Sequence, residues 1–476
     1  MPVTSTITGV QYSGIWSLAG QANAKALETW PSPPGAPTIG TATAGNGNAS
    51  ITFTAPTYAG IPALITGYTA TSSPGGLTGT GTASPIVVSG LSNGTAYTFT
   101  VTASNASGAG PASAASNSVT PNAAQLWTWG SGATGQLGLG NTTYYSSPKQ
   151  IGSLTTWETI FSQPNAYARS NAIKTDGTLW VWGIGTNGQL GLGSTASRSS
   201  PNQVGALTNW LSVASGEYFT VATQTNGTLW SWGKNNQGQL GLNNATYYSS
   251  PKQIGALTSW YIVVAGQAFA VATKTDGTLW SWGENGTGQL GLGNITSYSS
   301  PKQIGALTNW LKAAIGSNFS AALKTDGTLW AWGNNSSGQL GSGNTTSRSS
   351  PVQIGALTAW ATINVGSNFT IASKTDGTLW SWGNNFYGQL GLGNTTYYSS
   401  PKQIGALTTW SQIATGSDFT GAITTGGAFY AWGSNQYGRL GLGNTTDRSS
   451  PTQVGALTTW SRVGANRDSM TAFKAP

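Results

Sequence analysis

The chain contains neither cysteine nor histidine among its 476 residues. Without cysteine it has no disulfide framework and no thiol chemistry. Without histidine it lacks the commonest general base and the commonest metal ligand. Charged residues make up only 6% of the chain, whereas about a quarter is usual in soluble proteins. We therefore expect no enzyme, no metal site and no cofactor.

Long hydrophobic runs are also absent. No stretch reaches the roughly 18 apolar residues of a membrane-spanning helix, so no membrane span is expected. The first residues lack the basic stretch and the apolar run of a secretory signal peptide. A protein of this kind that acts outside a cell is expected to leave it by lysis or by a leaderless route.

The few charges are unevenly distributed. The net charge is +8, and apart from Lys25 and Glu28 every charged side chain lies after residue 121. A mild positive bias of this kind would favour an anionic polysaccharide or a cell envelope, although a solubilising scatter of charges explains it more simply. We expect no nucleic-acid partner.

A repeated pattern fills residues 122–476. Each copy opens with Leu-Trp-x-Trp-Gly, continues through Gly-Gln-Leu-Gly and reaches Ser-Ser-Pro, and the copies follow at a step of 53 residues once and 50 thereafter. The seven openings stand at Leu126, Leu179, Leu229, Leu279, Leu329, Leu379 and Phe429. A repeat of this length, rich in glycine and aromatic residues, predicts small sheets arranged as a propeller.

Four strands are expected in each repeat, for example at residues 369–374, 379–382, 403–404 and 410–414, with a tight hairpin turn at Asp376-Gly377. The repeat region begins with the second strand of a unit, at Leu126, and ends with the first, at residues 470–474. Both chain ends should therefore complete one shared blade, which removes the open sheet edges. The sequence predicts an all-β protein with seven blades.

The motif Trp-Gly-x-Asn-x-x-Gly-Gln-Leu-Gly, complete at residues 382–391, resembles the regulator of chromosome condensation repeat. That resemblance implies a seven-bladed propeller, and its best-known members exchange nucleotide on a small GTPase and bind chromatin. The family usually places His at the start of one strand. This chain has Phe there in five copies, and it has Arg169 and Ser469 in the first and last. No inserted wedge loop or basic tail supports the exchange or chromatin role.

Residues 33–121 form a separate expected domain, a sandwich of short alternating strands. The stretch from Leu91 to Ala103 resembles the fibronectin type III module, and the resemblance implies a tyrosine corner at Leu91 and Tyr97. The family's early-strand Trp is missing, and Phe53 stands in its place. Modules of this type are mostly spacers or adhesive units.

Residues 1–32 differ from both, with a short helical pattern followed by a proline-rich link. This segment either packs on its neighbouring domain or anchors the protein in a larger assembly. The expected anchor side chains are Ile15, Trp16, Leu18, Leu27 and Trp30. The arrangement of Ile15, Trp16 and Trp30 is similar to the openings of phage virion proteins, which implies a capsid or tail protein as partner.

One position varies between Tyr and Arg just before each Ser-Ser-Pro. We expect a ring on equivalent loops, formed by Tyr145, Arg198, Tyr248, Tyr298, Arg348, Tyr398 and Arg448. Tyr and Arg are enriched at recognition surfaces, and several weak copies add through avidity. The alternative is that these side chains pack against neighbouring blades. The aspartates of Lys-Thr-Asp-Gly-Thr and the glycine-rich loops are assigned to turns.

The expected function is that of a non-enzymatic virion surface protein of a phage, which attaches to a host-surface glycan or receptor through the propeller or decorates the capsid or tail. A secreted or cell-surface bacterial adhesin that binds polysaccharide is the main alternative. A guanine-nucleotide exchange factor comes third. The sequence is compatible with a homo-oligomer.

Overall fold

The computed structural model describes residues 31–121, 125–152, 156–161, 164–356 and 358–474. The chain divides into two compact units, one N-terminal and one spanning Ala124–Ala475. The anchor side chains expected at Ile15, Trp16, Leu18, Leu27 and Trp30 lie outside the described residues, so the anchor stays a prediction.

The N-terminal unit is a β-sandwich of a three-stranded and a four-stranded sheet. Its strands are β1 (Thr38–Ala44), β2 (Asn48–Thr54), β3 (Gly67–Ser73), β4 (Thr78–Gly81), β5 (Ile86–Ser89), β6 (Thr98–Asn105) and β7 (Gly108–Ala109). The sheets run β1-β2-β5 and β4-β3-β6-β7. In β6 every second side chain is buried, as the alternating pattern predicts.

Tyr97 closes the sandwich at one corner. Its ring is buried, and its hydroxyl accepts a hydrogen bond from the backbone N–H of Ser92 at 3.1 Å. Leu91 and Phe53 belong to the same core. These contacts fit the corner expected from the sequence, while membership of the fibronectin family remains a prediction.

The second unit is a propeller of seven four-stranded antiparallel sheets. Blade 1 comprises β10 (Trp157–Ile160), β11 (Arg169–Lys174), β12 (Leu179–Gly183) and β13 (Arg198–Gln203); blade 2, β14 (Trp210–Ser215), β15 (Phe219–Gln224), β16 (Leu229–Gly233) and β17 (Tyr248–Gln253); blade 3, β18 (Trp260–Ala265), β19 (Phe269–Lys274), β20 (Leu279–Gly283) and β21 (Tyr298–Gln303); blade 4, β22 (Trp310–Ile315), β23 (Phe319–Lys324), β24 (Leu329–Gly333) and β25 (Arg348–Gln353).

The remaining blades repeat this plan. Blade 5 comprises β26 (Trp360–Val365), β27 (Phe369–Lys374), β28 (Leu379–Gly383) and β29 (Tyr398–Gln403); blade 6, β30 (Trp410–Thr415), β31 (Phe419–Thr424), β32 (Phe429–Gly433) and β33 (Arg448–Gln453); blade 7, β34 (Trp460–Ala465), β35 (Ser469–Lys474), β8 (Gln125–Gly130) and β9 (Tyr145–Gln150). The sole helical element in the described part of the chain is a 3-10 turn at Gln436–Gly438.

Blade 7 is built from both ends of the repeat region, as predicted. The C-terminal strand β35 pairs with the N-terminal strand β8, and Thr471 lies opposite Thr128. The all-β class and the seven blades are therefore confirmed. The expected grouping of strands within a repeat is wrong in one respect. The strand at Trp410 opens blade 6, because it pairs with β31, rather than completing the blade that begins at Phe369.

The recurrent Trp and Gly-Gln-Leu-Gly motifs join neighbouring blades. In blade 2 the buried indole N–H of Trp232 donates to the carbonyl of Gln189 in blade 1 at 3.0 Å. Gly191 lies against the same indole, and a Cβ there would stand 2.6 Å from its nitrogen. Five further junctions repeat the bond at 2.9–3.0 Å. The Trp and Gly-Gln-Leu-Gly motifs therefore hold neighbouring blades together.

Candidate recognition surfaces

The first strand of every blade lines a central channel. It encloses about 440 Å³, and its walls are mainly valine, isoleucine and alanine side chains. We call the tryptophan that begins each of these strands the leading tryptophan. The channel has two ends. We call the end at the leading tryptophans the open face, and the end where the first strands turn into the second strands the plug face.

A loop of blade 1 crosses the channel at the plug face. Its residues 164–168, here called the plug, belong to a connection three residues longer than its counterparts in blades 2–6. The buried Asn165 donates from its side-chain amide to the carbonyl of Ile315 at 3.1 Å and accepts from the hydroxyl of Ser317 at 3.2 Å. Ile315 lies in blade 4, across the ring. The channel is therefore blind at this end.

The plug changes the packing around it. In blades 2–6 a buried Phe such as Phe219 lies against a glycine three residues earlier, here Gly216, where a Cβ would overlap the ring. Blade 1 has Ala166 and Arg169 at these positions. The buried guanidinium of Arg169 donates to the backbone carbonyls of Gly216 and Glu217 in blade 2. Burial lowers the pKa of Arg169 to about 9.

Lys312, two residues after the leading tryptophan of blade 4, lines the channel and is half-buried. In the described part of the chain its ammonium has no hydrogen-bond partner and no ion pair, and burial lowers its pKa. At the equivalent position in two other blades the polar side chain has a hydrogen-bond partner. Thr362 shares a hydrogen bond with Ser373 at 2.6 Å, and Arg462 donates to the carbonyl of Glu158.

Three neighbouring blades present large apolar side chains at the open face. The residue after the leading tryptophan is Leu211 in blade 2, Tyr261 in blade 3 and Leu311 in blade 4, and these are 39%, 47% and 54% exposed. The other four blades have Glu, Ala or Ser at this position. We call these three residues the apolar arc. It lies beside the mouth of the channel, which Leu211 and Tyr261 also line.

The aspartates of the hairpin turns are occupied by local bonds. In blade 1 Asp176 accepts from the backbone N–H of Thr178 at 2.9 Å and from its hydroxyl at 2.6 Å. That hydroxyl in turn accepts from the indole of Trp180, whose ring lies under the Lys174 ammonium. The Thr178 bonds lower the pKa of Asp176. The same turn recurs at Asp276, Asp326 and Asp376.

The predicted Tyr and Arg ring does not lie on loops. Tyr145, Arg198, Tyr248, Tyr298, Arg348, Tyr398 and Arg448 each begin the outermost strand of a blade. Each pairs with the glycine that ends the third strand, as Tyr248 does with Gly233. The loop interpretation failed because serine and proline suggest a turn, whereas an edge strand accepts a proline.

The tyrosines of this ring are held by their own blades. The Lys252 ammonium lies 5.5 Å from the centroid of the Tyr248 ring, and the amide of Asn244 donates to its hydroxyl at 3.4 Å. Tyr145, Tyr298 and Tyr398 have the same two neighbours. The arginines differ, since Arg348 is exposed and Arg198 and Arg448 are half-buried. The tyrosines are therefore packed within their own blades, and their role in binding stays a prediction.

Other aromatic side chains are more exposed at the plug face. Tyr144 of blade 7 stacks on Tyr437 of blade 6 at 5.0 Å, and Phe386 contacts Tyr387 in blade 5 at 4.8 Å. Their exposed fractions are 49%, 37%, 64% and 39%, in that order. We call these four residues the aromatic arc. Their equivalents in blades 1–4 are polar residues or glycine, except for the exposed Tyr247 of blade 2.

Seven stretches of the chain match the regulator of chromosome condensation (RCC1) repeat. They are residues 124–161, 176–223, 226–273, 276–323, 326–373, 376–423 and 426–466, which together make up more than half of the chain. The chain belongs to this repeat family. A second form of the RCC1 repeat also matches at residues 210–239, 311–339, 360–389 and 410–439.

Curated relatives share only part of the RCC1-repeat region. The probable E3 ubiquitin-protein ligase HERC4 of Mus musculus is 33% identical over 108 residues, which cover 20% of this chain and 10% of that protein. The ultraviolet-B receptor UVR8 of Arabidopsis thaliana is 35% identical over 94 residues, which cover 20% of this chain and 21% of the receptor. The matched region thus spans about a tenth and a fifth of these relatives.

Two solved structures have the same fold as the propeller unit. Human WBSCR16 aligns with a TM-score of 0.66 at 22% identity, over 74% of this chain and 99% of its own. Prp20p of Saccharomyces cerevisiae aligns with a TM-score of 0.66 at 20% identity, over 74% of this chain and 92% of its own, and its structure was described with its binding to Gsp1p and histones.

No group of three or more aspartates and glutamates stands close enough to hold a metal ion within the ranges given above. No helix in those ranges is long and apolar enough to cross a membrane.

Sequence reasoning missed the plug, Lys312 and the apolar arc. The signal for the plug was the single 53-residue step. The signal for the apolar arc was that blades 2–4 have Leu or Tyr just after the leading tryptophan, where the other blades have Glu, Ala or Ser. The signal for Lys312 was a lysine at the next position in blade 4.

Proposed function

We propose that this RCC1-repeat protein is a non-catalytic binding protein that docks a partner protein on the open face of its propeller. The apolar arc carries the proposal. Repeats that are otherwise nearly identical place Leu211, Tyr261 and Leu311 side by side where the remaining blades have small or charged residues. Adjacent exposed aliphatic and aromatic side chains are typical of protein interaction surfaces.

The chemistry of the described residues agrees with a binding role. The turn aspartates are used by local hydrogen bonds, and the sequence has no histidine or cysteine. The relatives that match the repeats are named as a ubiquitin ligase and a light receptor, and the matched part covers only a fraction of each. A shared interaction module is the common element.

Capture of partners from the source cells tests this proposal with a matched pair of variants. The triple variant Leu211→Ser, Tyr261→Ser and Leu311→Ser gives blades 2–4 the serine that blades 6 and 7 have at this position. Those serines are Ser411 and Ser461. Leu407→Ser with Leu457→Ser removes leucines of similar exposure from the same face. We expect the partner to be lost from the triple variant and kept by the control. Equal capture by both would contradict the open-face site.

Glycan recognition is a second candidate, and the aromatic arc favours it. Exposed tyrosine and phenylalanine rings next to polar loop residues suit the faces of sugars. A double variant tests this, with Tyr144→Ser in blade 7 and Tyr437→Ser in blade 6. Both substitutions introduce the residue that stands at the equivalent position of another blade, Ser197 for Tyr144 and Ser337 for Tyr437. If glycans bind here, this double variant should lose retention on host-surface polysaccharide. If replacing Arg198, Arg348 and Arg448 abolishes retention on the polysaccharide instead, the glycan site is the predicted Tyr and Arg ring.

The virion setting remains a prediction, and so do capsid or tail attachment through residues 1–30 and location on the virion surface. Mass spectrometry of purified phage particles from the source should detect the chain in stoichiometric amount. If it is found instead in the medium or on cells, a bacterial adhesin replaces the virion protein. A chain without residues 1–30 should be lost from particles, and its retention would contradict the anchor.

Nucleotide exchange on a small GTPase follows from family membership as a third candidate. Release of fluorescent GDP from GTPases of the same cell would detect it. If the wild type releases GDP and the triple variant at Leu211, Tyr261 and Leu311 does not, the open face carries out nucleotide exchange. If the wild type releases no GDP, the open face only binds a partner.

A further inference from the structure

The blind channel has the features of a small-ligand cavity. Asn165 closes it at the plug face by reaching Ile315 across the ring. About 440 Å³ remains, lined by Val263, Ile363 and similar side chains from every blade. Ligand pockets commonly enclose about 300–1,000 Å³ with mainly apolar walls and few polar groups. The channel thus has room and walls for an apolar chain of modest length.

One cationic group enters this cavity without a counter-charge. Lys312 is drawn into the channel, and no carboxylate of the described residues pairs with its ammonium. Its side chain is half-buried at the channel wall, where a partly desolvated ammonium gains from a counter-charge. Burial also lowers its pKa. The equivalent residue in blade 3 is Ile262, which lines the channel without a charge, so the fold itself does not require a lysine there.

We propose that the channel binds a small amphiphilic carboxylate, whose acid group pairs with Lys312 and whose apolar stem lies along the aliphatic wall. The carboxylate would enter from the open face, since the plug closes the other end. An ammonium–carboxylate hydrogen bond in a desolvated cavity is strong, and burial of the stem adds to it. The site shares the open face with the proposed docking surface but needs no protein partner.

Octanoate is the probe for this site, titrated into the full chain by calorimetry. We expect one saturable site in the wild type, at least tenfold weaker binding in Lys312→Met, and unchanged binding in Lys302→Met, which removes a surface lysine of β21. Octanamide should bind more weakly than octanoate. The absence of saturable binding, or equal affinity in Lys312→Met, would overturn the proposal.

A second measurement uses the wild-type chain and does not depend on how a variant folds. Reductive methylation followed by mass spectrometry reports the accessibility of each lysine. We expect octanoate to protect Lys312 and to leave Lys302 unprotected. Equal labelling of Lys312 with and without octanoate would overturn the site. Because neither experiment contains a partner protein, failure here leaves the docking proposal standing.

Discussion

The side-chain amide of Asn165 donates to the backbone carbonyl of Ile315 at 3.1 Å, on the opposite side of the central channel. Blade 1 and blade 4 are thereby joined directly, whereas the other contacts described between blades join neighbours. The three extra residues in the first repeat therefore have a structural role, because they turn an open channel into a blind one.

Replacing Asn165 tests the energetic weight of the plug. Asn165→Ala removes both bonds and leaves the carbonyl of Ile315 unsatisfied, which typically costs about 1–3 kcal/mol. We expect a loss of that size in the free energy of unfolding, measured in urea. Asn202→Ala is the control, since the Asn202 amide bonds only to the nearby Ser200 carbonyl. Equal losses in the two variants would contradict a bridging role.

A glycine in blades 2–6 is needed by the phenylalanine three residues later. Gly216→Ala should destabilise the protein by about 1–3 kcal/mol through overpacking, because its Cβ overlaps the Phe219 ring. Gly286→Ala, with open space around the new Cβ, should be close to neutral.

Adding Phe219→Ser to Gly216→Ala tests the same pairing from the other side. Blade 7 already tolerates Asn466 with Ser469 at these two positions. In a double-mutant cycle the alanine should cost less once the ring is gone. A cost that stays the same with serine at position 219 would show that the clash lies elsewhere.

Asp418 leads to a prediction for how stability depends on pH. Burial is the main cause of its raised pKa, so the folded state favours the neutral acid and disfavours the carboxylate. Asp418→Asn, which matches Asn318 and Asn368 in blades 4 and 5, should be more stable than the wild type at pH 7. The advantage should vanish as pH falls below the ordinary pKa of aspartate, about 4.

Asp326→Asn is the control of opposite sign. Hydrogen bonds from Thr328 lower the pKa of Asp326, so its carboxylate favours the folded state above the ordinary pKa of aspartate. That contribution is lost as pH falls through the lower, folded-state pKa. The asparagine variant should therefore be less stable than the wild type at pH 7. Unfolding in urea from pH 3 to pH 7 measures both variants, and parallel profiles would contradict the assignment.

The repeats made the fold predictable, and particular contacts explain the rest. The closing blade followed from the match between Leu126 and residues 470–474. The leading tryptophan was assigned to the wrong blade, because sequence order does not show which strand pairs with which. The Tyr and Arg ring was placed on loops, since Ser-Ser-Pro carries a turn composition even where it forms an edge strand. The apolar arc was missed because the exposure of the residue after each leading tryptophan depends on a β-bulge there, which the sequence does not show.

Site-specific photo-crosslinking from the open face tests the binding role most directly. A benzophenone amino acid at position 311, in the apolar arc, is compared with the same group at position 411, the equivalent site in blade 6. In source cells we expect a discrete crosslinked protein from position 311, absent from position 411 and absent when Leu211 and Tyr261 are serine. No product from position 311, or the same product from both positions, would contradict an open-face binding site.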